Sequence, residues 1–448
     1  MDTLIAVNNF VNSIVWGPPM IVALVGTGIL LTFTTRGIQF RRFPFAIRQV
    51  LGGLGAKPQG EGTVTPFQAL STSLAATVGV GNIAGVSTAI AAGGPGALFW
   101  LFVSGVFGMA TKFAEIAISL NYRERDASGT MRGGPMYVLA RGMRLPWLGA
   151  IFAGLTALAG FGIGNMVQAN SVADVAQSSF GVPPFISGIA LAAATALVIL
   201  GGIKRIAEVA QVLVPGMCAL YLAAALYVLV THLGELPSVI QLVLSSAFNG
   251  QAALGGFAGA TVRNAVQLGI ARGLFSNEAG LGSAPIVHAS AVTDHPVRQA
   301  MYGIFGVFVD TLVVCMLTGF VVLSTGVWTS GATGASLSAQ AFQTGLPGEW
   351  GASLVSIAII LFAFSTVVGW AYYGETAITY LFGTKAALPY RLAWVGFVYL
   401  GAVGSLQFIW SLSDTLNGLM AVPNLVAILG SLALLRKLIN EFFLNEAS

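Results

Sequence analysis

Apolar runs of about twenty residues recur along this chain, each closed by polar residues, proline or glycine. That length matches the roughly 20 residues an α-helix needs to cross a hydrocarbon core about 30 Å thick. Read this way, the chain has eleven predicted spans, beginning near Pro19, Phe67, Ala97, Leu148, Pro184, Ala210, Gly255, Gln299, Gly351, Pro389 and Leu416. The expected fold is an all-α polytopic membrane protein, with residues 1–448 forming a single transmembrane domain.

Two spans carry internal interruptions. In the second, Thr77-Val78-Gly79-Val80-Gly81-Asn82 combines two glycines with β-branched residues and an asparagine, a poor helix interior. Gly81 and Gly85 could also serve as a small-residue packing face. The seventh span is interrupted more strongly, with Asn277, Glu278, Gly280, Gly282 and Pro285 falling close together. Irregular backbone at membrane depth survives only where protein or a watery cavity satisfies its polar groups, so a binding site is the natural explanation. Spans two and seven are five crossings apart, which reverses the direction of travel. Residues 66–251 and 252–448 therefore form two five-helix halves of an expected inverted repeat, preceded by an extra helix and loop in 1–65. Matched interruptions in two such halves point to a secondary transporter's site near the bilayer midplane.

Charge tests the span count. Five Lys/Arg lie between spans one and two, and six run from Lys112 to Arg144. Lys204 and Arg205 follow span five, Arg298 follows span seven, Lys385 and Arg391 follow span nine, and Arg436 and Lys437 follow span eleven. These alternate loops are expected to face the cytoplasm, with the N-terminus outside and the C-terminus inside. Only Arg263 and Arg272 fall within a span, while loops on the other side carry Asp174, Glu235, Glu349 and Asp414. The composition, 56% hydrophobic and 8% charged, excludes a soluble fold, and the net charge of +4 follows from these loops and implies no nucleic acid. Cys218 and Cys315 lie inside apolar segments, which argues against a disulfide framework or a thiolate metal site.

The segments GVGNIAG (79–85), GGPGALFW from Gly93, GGPMY from Gly133, GIGNMVQAN (162–170), FSNEAGLGSAP (275–285), FSTVVGWAYYGE (364–375) and DTLNG (414–418) together resemble the alanine or glycine:cation symporter family. The resemblance implies a leucine-transporter (LeuT) type fold with a 5+5 inverted repeat and one additional helix in front. It implies import of a small amino acid, alanine and/or glycine, with D-alanine as a further candidate, together with sodium. By the same resemblance, the amides of Val80 and Gly81 receive the substrate carboxylate. The ammonium meets Thr77 and the break around Phe275, Ser276 and Asn277. Phe275 and Trp370 limit the pocket, with Asn165 and Gln168 as polar contacts. Sodium, a hard cation that accepts neutral oxygens, is expected at the carbonyls of Ala75 and Val78 and the side chains of Ser365 and Thr366. Packing and back-bonding to the preceding helical turn are the ordinary roles of these aromatic and hydroxyl residues.

Asp310 and Glu278 are intramembrane acids and hence functional candidates. They fit either ion pairs with Arg263 or Arg272 or a part in ion coupling, so a proton-coupled or glutamine-preferring symporter of the same fold is the alternative. Lys112 and Glu115 fit either a gate or a plain i,i+3 pair. No protease or intramembrane-enzyme motif occurs, and no repeated filter sequence suggests a channel. No organic cofactor is expected, and the expected location is the plasma membrane.

Overall fold

A computed structural model describes residues 2–55, 57–249, 262–404 and 407–445. Among these, eight helices are long and apolar enough to cross a membrane, or nine if the bent pair Pro66–Thr77 and Gly81–Gly93 counts as one span. Two of the eleven predicted spans show fewer than 18 described helical residues. Pro184–Ile199 has only 16 residues. Val262–Asn277 also has 16, and the predicted start of that span near Gly255, like the repeat boundary at 251/252, lies outside the described residues. Lys204 and Arg205, read as a loop, belong instead to the first turn of the helix Gly202–Thr231, because the chain turns earlier, at Leu200–Gly201.

The second span starts from a complete capping box. Thr65 accepts from the Gln68 amide, Gln68 accepts from the Thr65 amide, and Pro66 occupies the first helical position. Beside it stands Gly351–Phe382, 32 residues without interruption, whose buried face includes Trp370, Tyr372 and Tyr373. At about 1.5 Å per residue it is roughly 48 Å long, more than the ~30 Å hydrocarbon core demands. It packs against Pro66–Thr77, Pro146–Ala159, Val167–Phe180 and Gly202–Thr231, giving the broken span a straight, rigid neighbour. Gly96–Asn121 plays the same part for the seventh span, packing along Val262–Asn277. A Cβ on Gly269 or Gly273 would collide with Ala97 or Ser104, so glycine is what lets these backbones approach.

At one end of the bundle, the chain between Gly96–Asn121 and Pro146–Ala159 forms a two-residue antiparallel hairpin, Glu124 opposite Arg132. Arg123 beside it donates to the carbonyls of Glu61, Ala289, Ala291 and Thr293, tying the approach to span two to the exit from span seven. Buried Arg132 bridges Asp126 at 2.5 Å and Glu375 at 3.2 Å. Glu375 also takes two bonds from Arg391, at 2.7 and 2.9 Å. Burial alone would raise the Asp126 carboxyl, but donation from Ser128, Arg132 and the Thr130 amide outweighs it and holds the pKa below its ordinary value. With a depressed folded-state pKa, Asp126 contributes stability above the unfolded value near ~4 and loses it as pH falls through the folded one.

Glu375→Ala leaves Arg132 with half its ion pairing in a buried setting. We expect a loss of about 3–5 kcal/mol, read as a fall in the thermal unfolding midpoint of the detergent-purified protein. A midpoint unchanged within error would show that the cluster holds nothing together.

Candidate functional site

The second span stops being α-helical at Val78, whose ψ of 89° leaves the helical region, and its two halves meet at 54°. Asn82 holds the corner: its side-chain oxygen accepts from the Gly79 amide at 2.9 Å, and its amide nitrogen donates to the Asp310 carboxylate at 2.8 Å. The following turn, Gly81–Gly85, is π-helical, as are Gly160–Met166 and Phe308–Cys315, which face the same region. Such wide turns cluster at functional sites because they disturb the regular backbone bonding.

The seventh span breaks after Asn277. Glu278 (φ 55°), Gly280 (φ 90°) and Gly282 (φ 81°) all adopt left-handed backbone, and the helix resumes at Ala284–His288. For glutamate this conformation costs roughly 1–3 kcal/mol. The freed backbone groups find side-chain partners. Lys112 Nζ donates to the Asn277 carbonyl at 2.5 Å, the Gly280 amide donates to Glu115 Oε2 at 3.2 Å, and Asn424 donates to the Gly280 carbonyl at 2.9 Å. Lys112 and Glu115, which the sequence left open between a gate and a simple pair, thus each bind the break itself.

The two breaks enclose a small cavity of about 20 Å³, room for little more than a water molecule. Thr77, Val80, Gly81, Gln168, Phe275, Ser276, Thr366 and Trp370, all predicted site residues, line it. Gln168 donates to the Ile163 carbonyl and leaves its buried Oε1 without a partner. Trp370 packs on Gly164 and donates from Nε1 to Glu278 Oε1 at 3.0 Å, while Ser283 donates to the other Glu278 oxygen. Half-buried Phe275 is faced by Trp16, 6.4 Å between ring centroids, and Trp16 is held by the Asp414 carbonyl.

Two predicted contacts stand elsewhere. Asn165 is fully buried but donates to the Trp394 carbonyl at 2.9 Å and does not line the cavity. Asn277 turns to Thr311 and to its own chain, where its Oδ1 accepts from the Ala279 amide. Ile163 and Asn417 do line it, the latter with a buried unpartnered Oδ1. The sequence offered a signal for Asn417 in the DTLNG segment, but not its role. Glu278 also reaches the cavity wall.

Ser365 Oγ lies 3.2 Å from the Ala75 carbonyl and 3.5 Å from that of Val78, while Thr366 back-bonds to Phe362 at 3.0 Å. Asp310 is bonded by Asn82, Ser276 and Thr311. Neither Asp310 nor Glu278 forms an ion pair with Arg263 or Arg272 among the described residues. Arg263 is exposed, and Arg272 lies 5.7 Å from the Phe275 ring. The base that stands with Asp310 is Lys112: both line a second, very small cavity of about 10 Å³, together with His288.

The family model for sodium:alanine symporters matches residues 1–447. The chain belongs to the sodium:alanine symporter family. It is accordingly a multi-pass integral membrane protein of sodium-linked amino-acid transport. It is 48% identical to the sodium/alanine symporter AgcS of Methanococcus maripaludis, over 100% of this chain and 99% of that protein. It is 39% identical to the probable sodium/glutamine symporter GlnT of Bacillus subtilis, over 93% of this chain and 86% of the relative. To the putative sodium/proton-dependent alanine carrier YrbD of the same organism it is 37% identical, over 93% and 88%. A manganese transporter of Eremococcus coleocola shares its fold, with a TM-score of 0.50 at 14% identity over 82% of this chain and 78% of that one.

Any side chain at Gly164 would meet the Cβ and Cγ of Trp370. Gly164→Ala should therefore push the indole off Glu278 and destabilise the protein by about 1–3 kcal/mol. Tryptophan fluorescence and thermal unfolding in detergent report the two effects, and wild-type values for both would overturn the packing argument.

Proposed function

We propose that this symporter imports a small neutral amino acid, alanine before glycine, with sodium by alternating access, holding the substrate where the breaks of spans two and seven meet. The observation that carries the reading is the cavity between the breaks, into whose wall two buried side-chain oxygens, Gln168 Oε1 and Asn417 Oδ1, enter without partners. Buried polar atoms are rarely left so unless a ligand or water completes them.

A zwitterion suits this site. The backbone of Val80 and Gly81 at the start of a half-helix favours the carboxylate. Thr77, the end of the half-helix at Phe275–Ser276 and the free oxygens of Gln168 and Asn417 favour the ammonium. Trp370 and Phe275 close the space around the side chain, which suits alanine better than glutamine. Sodium, as cargo, is taken by the Ala75 and Val78 carbonyls with Ser365 and Thr366. The Ser365 hydroxyl already meets both carbonyls across the break, and a hard cation needs no carboxylate when enough neutral oxygens gather. In this reading the N-terminus is outside and the C-terminus in the cytoplasm. The two five-helix halves then form an inverted repeat of the leucine-transporter type behind one extra helix.

Uptake of labelled alanine into proteoliposomes should require an inward sodium gradient. Uptake driven by protons alone would discard the sodium site and move coupling to Asp310 and Glu278, while no uptake in either condition would reject alanine. Thr366→Val keeps the shape and removes a hydroxyl, at about 1–3 kcal/mol, so the sodium concentration for half-maximal uptake should rise at least about fivefold. An unchanged sodium dependence would remove Thr366 from the ion's ligands.

A further inference from the structure

Away from the transport site, the first span and the last helix enclose an open cleft of about 650 Å³. Pro18–Thr34 ends in two left-handed residues, Arg36 (φ 56°) and Gly37 (φ 67°), and the chain turns sharply into the short helix Ile38–Arg41. Opposite lies Leu432–Asn445. Four arginines line the cleft, Arg36, Arg41 and Arg42 from the turn and Arg436 from the last helix, and no aspartate or glutamate does. None of the four has a carboxylate partner within ion-pair distance among the described residues. Arg42 is held over the Phe443 ring, 4.0 Å from its centroid, and Glu441, the acid of the last helix, is engaged by Lys437.

The same cleft has an apolar flank. Phe33, on the span itself, is 76% exposed, and Leu444 across the cleft is 71% exposed. Four uncompensated guanidinium groups therefore stand at the end of a membrane span, beside aromatic and aliphatic side chains that look outward. A soluble anion would use only the arginines and leave the apolar flank facing water. A phospholipid uses both: its phosphodiester matches the planar fork of arginine, and its acyl chains cover Phe33 and Leu444. We propose that this cleft is a binding site for an anionic phospholipid, whose headgroup bridges the first span to the last helix.

The site needs only the membrane placement and not the substrate or coupling ion, so its test stands apart from transport. The full-length protein is purified, stripped of lipid in a neutral detergent and titrated with phosphatidylglycerol, with phosphatidylcholine of the same chains, or with inorganic phosphate. Binding is read by native mass spectrometry and thermal unfolding. We expect phosphatidylglycerol to remain bound and raise the unfolding midpoint, with phosphatidylcholine and phosphate doing neither. Each arginine near an anionic headgroup contributes roughly fivefold in affinity. The triple variant Arg36→Gln, Arg42→Gln, Arg436→Gln should therefore bind on the order of 100-fold more weakly. The corresponding lysine variant should retain most of the binding.

Equal effects of the two lipids would overturn the proposal, as would undiminished binding by the glutamine variant. A midpoint shift reproduced by phosphate would reassign the cleft to a soluble anion and overturn the lipid assignment. Should the triple variant not fold, the preference between the two lipids on the wild-type protein decides alone.

Discussion

A backbone that leaves the helix inside a membrane exposes amides and carbonyls with no water to receive them, and the arrangement around the two breaks follows from meeting that demand. At the second span the Gly79 amide is taken by Asn82, and the Ala75 carbonyl by Ser365. At the seventh, Lys112, Glu115 and Asn424 reach in from two other helices. Lys112 and Glu115 would be costly in lipid as isolated charges. Here they are buried because the break supplies a carbonyl for one and an amide for the other.

The straight helices serve the same end. Gly351–Phe382 and Gly96–Asn121 run unbroken beside the interrupted spans and carry the groups that meet the breaks: Ser365 and Trp370 on one, Lys112 and Glu115 on the other. A hydroxyl or ammonium fixed on a long packed helix holds its position to a fraction of an ångström. On a loop it would not. The irregular parts of the molecule are thus shaped by its most regular ones.

Much of this was legible in the sequence. Hydropathy and the alternation of basic loops indicated a polytopic membrane protein, and segments such as FSNEAGLGSAP carried the family. The glycine and asparagine runs at 79–82 and 277–282 lie where the structure has its bend and its left-handed residues. Other features left no local mark. Nothing in GIGNM or FVDTLVVC distinguishes a π-helical turn from an α-helical one, since the wider turn is set by what packs on it. Asn165 reads as a polar residue on a site-facing span, yet its partner is a carbonyl 229 residues away. The sequence left Glu278 and Asp310 open between pairs with Arg263 or Arg272 and a part in ion coupling for a related reason. The sequence shows which charges are present, but the groups that bond the two acids are hydroxyls, an indole and an amide, with Lys112 the base beside Asp310.

Asp310 has a mechanical consequence. One of its oxygens is bonded to Asn82, at the corner of the second span, and the other to Ser276, at the end of the half-helix in the seventh. Bonds to a charged group contribute about 1.5–3 kcal/mol each, so neither corner can shift alone without giving one up. The carboxylate acts as an axle pin through two levers: the corners turn together, and a load placed on one is carried by both.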